Sequence, residues 1–75
     1  MPYRDNAALP ARVRAHLPAH AQTIYRQAFN SAFRAFADPA KRRGEAGREE
    51  AAHRVAWAAV KRKYEKRDGE WWPQA

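Results

Sequence analysis

The stretch AQTIYRQAFNSAFRAF, residues 21–36, constrains this chain more than any other. Its apolar side chains fall at Ala21, Ile24, Tyr25, Ala28, Phe29, Ala32, Phe33 and Phe36. That unbroken i, i+3, i+4, i+7 recurrence predicts an amphipathic helix. Thr23, Arg26, Gln27, Asn30 and Arg34 take the opposite side. The apolar arc covers about half the helix, wider than the ~100° stripe that a single contact requires. Such a helix touches more than one neighbour, so it predicts the spine of a small helical domain.

The flanking segments supply those neighbours. Leu9, Val13 and Leu17 recur at i, i+4 and i+8 on a short helix that opens at Pro10. Pro18 stops it near His16, because the residue before a proline avoids the α region. With almost no loop between them, the short helix and the spine meet as a corner. Residues 37–47 form the main loop, in which Asp38-Pro39 predicts one helical turn over 39–43 and Gly44 and Gly47 act as punctuation. A third helix is predicted from residue 48 to about residue 66. Glu49 and Glu50 sit in its first turn and Lys61, Arg62, Lys63, Lys66 and Arg67 near its end, as the helix macrodipole favours. Its inner face carries His53, Trp57, Val60 and Tyr64, and Ala52, Ala56 and Ala59 allow close packing. Gly69 is a stop signal, and Glu70, Trp71, Trp72 and Pro73 read as an extended aromatic tail.

A chain of 75 residues fits one domain, residues 1–75. A domain this short buries only ~60% of the surface its unfolded chain exposes, so its aromatic residues are needed in the core. There is no cysteine, hence no disulfide and no thiolate metal site, which fits a cytoplasmic location. No stretch approaches the ~18 apolar residues of a membrane span, and the first ten residues lack the apolar segment of a signal peptide.

The net charge of +7 predicts attraction to nucleic acid, anionic lipid or an acidic protein surface. The charge is uneven: residues 41–67 carry ten basic and four acidic side chains, whereas the last eight residues hold two acids and no base. On a helical wheel Arg48, Arg62 and Lys66 fall near one line, with Lys63 and Arg67 beside it and Lys41, Arg42 and Arg43 able to extend the patch. These eight side chains are the candidate binding residues for a protein partner or for nucleic acid. Trp71 and Trp72 lie outside the helical pattern. One is expected to cover the core near Tyr3, and the pair could otherwise stack on a ligand or sit at an anionic membrane surface.

Enzymatic chemistry is not encoded. His16 and His20 stand on either side of Pro18 with no third ligand, where zinc needs at least three. Glu50 and His53 make a single Glu-x-x-His pair, and a di-iron bundle needs two with further carboxylates. His53 therefore reads as a hydrogen-bonded core residue. Thr23 and Ser31 are mid-helix without an oriented base, and Gly44, Gly47 and Gly69 fit no phosphate-cradling loop. No catalytic residue, metal or cofactor is expected.

Five blocks now stand in order: MPY at 1–3, LP at 9–10, LPAHAQTIY at 17–25, AFNSAF at 28–33 and REEAAHRVAWAAVKRKY at 48–64. Together they resemble the ChaB family of small bacterial proteins, described as cation transport regulators, over nearly the whole chain. The resemblance implies a mainly α domain of three helices with a small two-stranded antiparallel sheet, expected from pairing of the two extended chain ends, 2–4 with 70–72. It implies regulation of a cation/proton antiporter by docking at its cytoplasmic face, with no catalytic residues. ChaB-like segments also resemble parts of proteins that act on nucleic acid, which keeps nucleic-acid binding as the alternative. The family loop between the second and third helices can be acidic, whereas here Lys41, Arg42 and Arg43 outnumber Asp38 and Glu45, which argues against a divalent-cation site there.

Overall fold

The computed structural model describes residues 3–41 and 47–74. Helix α1 spans Ala11–His16, α2 spans Ala19–Ala35 and α3 spans Arg48–Lys63. Strands β1 (Tyr64–Arg67) and β2 (Glu70–Pro73) follow as an antiparallel hairpin. Short 3-10 turns at Asn6–Ala8 and Pro39–Lys41 precede α1 and follow α2. The fold is mainly helical with one two-stranded sheet, as the resemblance implied.

The spine is α2. Its Ala21, Tyr25, Phe29 and Ala32 are buried, while Ile24, Ala28, Phe33 and Phe36 pack against the core from its margin. Helix α3 lies along it with Ala52 and Ala56 fully buried, so small side chains let the two backbones approach. Leu9, Val13 and Leu17 are all buried, and the corner after α1 forms where Leu17 and Pro18 turn extended. The corner leaves carbonyls without helical partners. Gln22 answers this: its Nε2 donates to the carbonyl of Leu17 at 2.8 Å and to that of Arg14 at 3.3 Å.

The helix predicted to reach residue 66 ends at Lys63. The sheet is also built differently from the pairing of chain ends. Its first strand is Tyr64–Arg67, and its second, Glu70–Pro73, includes the expected 70–72 segment. The cause is the Asp68-Gly69 dipeptide, whose φ angles of 52° and 80° are both left-handed. Two such residues make the tight turn that matches strand twist, for which Asp-Gly is a strong signal. Glu65 faces Trp72 and Lys66 faces Trp71 across the ladder. Gln74 closes the end of α3: its backbone N–H donates to the Lys63 carbonyl at 2.9 Å and its Nε2 to the Lys61 carbonyl at 3.0 Å.

Of the expected 2–4 strand, position 2 lies outside the described residues, and Tyr3 is held by a side chain instead of a neighbouring strand. The Asn30 amide accepts from the Tyr3 N–H and donates to the Tyr3 carbonyl, both at 2.8 Å. One side chain on α2 thus imitates the two-way pairing of a neighbouring strand. Asn6 ties the following turn down through Thr23 and Arg26 on the same helix.

Trp57, expected in the centre, is half-buried and lies between Tyr25 and Trp71, at 5.0 and 5.9 Å between ring centroids. Phe33 is likewise marginal. Phe29 and Tyr25 are the fully buried rings. Replacing Phe29 with Ala is therefore expected to cost ~3–5 kcal/mol, enough to unfold a domain this small. Trp57→Ala is expected to cost less because part of that ring already meets water. Urea titrations of the two variants check the order, and a Trp57→Ala loss exceeding that of Phe29→Ala contradicts it.

Candidate functional site

Of the eight cationic side chains predicted from sequence, the six among the described residues are spread over the turn after α2, α3 and β1. Arg48 opens α3, but its Nε donates to the Phe33 carbonyl at 2.7 Å and its guanidinium lies 3.8 Å from the centroid of the Phe33 ring. That carbonyl belongs to the last turn of α2, where backbone acceptors are unpaired and positive charge is favoured. Arg48 thus clamps α3 to the end of α2. Arg62 and Lys63 are exposed on the last turn of α3. Lys66 and Arg67 are exposed on β1, because the helix has already ended, so the predicted helical line through Arg48, Arg62 and Lys66 is broken at both ends. Lys41 is exposed after α2, and positions 42 and 43 lie outside the described residues.

Alternation along the hairpin divides the tryptophans. Trp71 turns inward and stacks on Trp57, covering the core as expected, while Tyr3 packs on Phe29 at 4.7 Å. Trp72 turns outward and is 46% exposed. It stands opposite Glu65, with the Arg67 guanidinium 5.8 Å from its ring centroid and paired to Glu65 at 3.6 Å. Asp68 and Glu70 add two further exposed carboxylates. The surroundings of Trp72 are therefore mixed in charge, with three acids against Arg67. Between this strand and the α1–α2 corner runs an open groove of about 330 Å³, lined by His16, Leu17, Pro18, Glu70 and both tryptophans.

Two of the three histidines, His53 and His20, are structural partners of tyrosines. The Tyr25 hydroxyl is hydrogen-bonded to His53 Nδ1, and Glu49 lies 3.8 Å from Nε2. A carboxylate on that side favours the Nε2–H tautomer, leaving Nδ1 free to accept from the phenol. Burial pushes the Tyr25 phenol up to about 12, with Tyr3 adding to the effect and Arg12 opposing it. Burial also lowers the His53 pKa, opposed by Glu49. His20 Nδ1 meets the Tyr64 hydroxyl at 3.1 Å. Among the described residues no group of three His, Asp or Glu side chains is placed to hold a metal ion, and no helix is long and apolar enough to cross a membrane.

Fold and surface together are those of a small basic domain whose distinctive side chains are spent on packing and on its exterior. The comparisons agree with that class. The chain matches the ChaB family model over residues 9–74. It is 53% identical over 72 residues to the protein of Escherichia coli (strain K12) named "Putative cation transport regulator ChaB", covering 96% of this chain and 95% of that one. The Shigella flexneri protein of the same name matches equally. A solution NMR structure of a protein bearing that name superposes with a TM-score of 0.81 at 49% identity, over 99% of this chain and 100% of the other. The chain belongs to the ChaB family.

The buried phenol and imidazole predict a stability maximum between their titrations. The native state disfavours His53 protonation, so as pH falls below 6.5 the unfolded chain takes up that proton first and stability drops. At the other limit the unfolded chain loses the tyrosine proton from pH 10.0 while native Tyr25 holds it to about 12, so stability falls across that window. Thermal melts against pH should show both limbs. Tyr25→Phe should lower the plateau by ~1–3 kcal/mol, since His53 loses its partner, yet lessen the alkaline decline. An unchanged alkaline limb contradicts the assignment.

Proposed function

We propose that this protein is a non-enzymatic regulatory module that docks on a cation transport protein, a cation/proton antiporter approached from its cytoplasmic face. The family supplies the connection to cation transport. The observation that carries docking is the setting of Trp72, an exposed tryptophan flanked by charges of both signs. Aromatic and arginine side chains with a polar rim are the usual energetic centres of protein–protein contacts. A phosphate backbone or an anionic bilayer would instead meet Glu65, Asp68 and Glu70 beside that ring. The cations at Lys61, Arg62, Lys63 and Lys66 act in this reading as steering charges. They speed encounter with an acidic surface and set the approach, a role that weakens with salt. No covalent step is assigned to any side chain.

The experiment is co-purification of the tagged protein from solubilised membranes of its own host, with nuclease present. A cation transporter is expected to remain bound after nuclease treatment. Arg62→Glu with Lys66→Glu should release it while shifting stability by no more than ~0.5 kcal/mol, because both side chains are exposed. Loss of all partners on nuclease treatment would overturn the reading in favour of nucleic acid. So would submicromolar binding to duplex DNA at physiological salt, with affinity falling by ~0.9 log units per log salt for each phosphate contact.

A further inference from the structure

The exposed side of α3 holds a second feature, apart from the tryptophan groove, that shares Lys41 and Arg62 with the predicted basic residues. Val55 is 40% exposed, and with Trp72 it is one of two large hydrophobic side chains in that state among the described residues. It does not stand alone. Phe36 at the end of α2 and Ala51 on α3 line one shallow depression with it, about 190 Å³ in volume. Ala58 is exposed one turn further along α3, and Arg62, seven residues after Val55, lies on the same side of the helix. Ala51 is only 7% exposed and floors the depression, so the exposed apolar atoms on α3 are those of Val55 and Ala58, ahead of Arg62.

Cations border this strip. Lys41 and Arg54 line the depression itself, and Lys61 is exposed two turns beyond Arg54. Among the described residues the nearby acids are Asp38, exposed in the turn that carries Lys41, and Glu50, which reaches Arg54 only at 4.0 Å with both side chains well exposed. An exposed pair of that kind neutralises little. The strip thus presents apolar atoms in the middle and positive charge at both ends and along one flank.

We infer that this strip is the docking surface for an acidic amphipathic helix of a partner protein. The inference rests on the docking reading above and names the surface and the partner's chemistry. A helix fits because two helices pack through rows of side chains three and four residues apart, the spacing of Ala51, Val55 and Ala58. One aliphatic side chain of the partner enters the depression beside Val55, and neighbouring carboxylates meet Lys41, Arg54 and Arg62. Small alanines on the strip allow close approach of the two backbones. Nucleic acid would engage the cations but has no use for Val55, and that difference makes the surface testable.

The probe is a synthetic helical peptide of about 18 residues, long enough to hold helix on a surface, with leucines at i, i+3, i+4 and i+7 and glutamates elsewhere. Poly-glutamate of equal charge and a duplex DNA are the comparison ligands. Amide shifts should move at Phe36, Ala51, Val55 and Ala58. Val55→Ser should weaken the peptide about fivefold, in keeping with loss of one partly exposed aliphatic contact, and leave poly-glutamate unaffected. Arg62→Glu should weaken both. The inference is overturned if poly-glutamate or DNA binds as tightly as the peptide and Val55→Ser is neutral, or if the shifts gather at the Trp72 groove. Co-purification of Val55→Ser from membranes separates the two claims. A transporter complex that survives this change removes the strip and leaves docking standing. A wild-type protein that captures no transporter removes the docking reading, while the peptide map still decides the strip.

Discussion

The layer of Tyr25, Phe29 and His53 between α2 and α3 is the contact on which the remaining structure depends. Phe29 is completely buried, with His53 at 4.6 Å and Tyr3 at 4.7 Å between ring centroids. Tyr25 sits one turn earlier, hydrogen-bonded to His53 and edge-on to Trp57. Two separate segments, the stretch at Tyr3 and α3, therefore meet on two adjacent rings of one helix. In a chain of 75 residues few other side chains could bury comparable area. The polar atoms carried into this layer are a phenol and an imidazole, and each answers the other, which removes the cost of leaving either unpaired.

That economy shapes the outer surface. Histidine and tyrosine, the residues that most readily serve proton transfer near neutral pH, are engaged with each other at Tyr25–His53 and His20–Tyr64. Arg48, the first cation of α3, is held against Phe33. The chemistry left facing outward is cationic and aliphatic on α3 and aromatic with mixed charge on the hairpin. Such surfaces recognise partners by shape and charge, and their energetic centres are the few apolar groups that can be desolvated.

The helices were legible because their signals are redundant. Residues 21–36 repeat the apolar pattern through four turns, and Leu9, Val13 and Leu17 place α1 by position alone. That one tryptophan would cover the core was also readable, since few residues in so small a chain can do so; Trp71 does it through Trp57, while Tyr3 packs separately on Phe29. The hairpin was misplaced for a physical reason. Tyr64, Glu65, Lys66 and Arg67 continue both the inner-face spacing and the basic ending of α3, and glutamate, lysine and arginine are good helix formers. Asp68-Gly69 carried the contrary signal, but a glycine ending a helix and a glycine in a hairpin turn look alike until the dipeptide is weighed as a unit. Once the strand begins at Tyr64, its alternation divides Lys66 from Arg67 and Trp71 from Trp72. The expected continuous basic face cannot survive that division. The clamp by Arg48 was hidden differently, because a helical wheel fixes where a residue lies on its own helix and says nothing of carbonyls on the next.

The division of charge also bears on how one small domain could engage a partner. Cations on α3 and acids around Trp72 lie on neighbouring elements joined without a loop, since β1 begins at the residue after α3 ends. A partner surface of uniform negative charge gains from the first and is repelled by the second. A partner that carries an acidic helix beside a neutral or basic patch gains from both and can meet the domain in one orientation. The repulsive element contributes as much to that choice as the attractive one, because specificity is a difference between affinities. Under the proposed docking, Glu65 at the side of Trp72 would act as a selecting residue as well as a partner for Arg67. A domain with only a basic face would bind any polyanion, whereas acids beside an exposed tryptophan disfavour most of them.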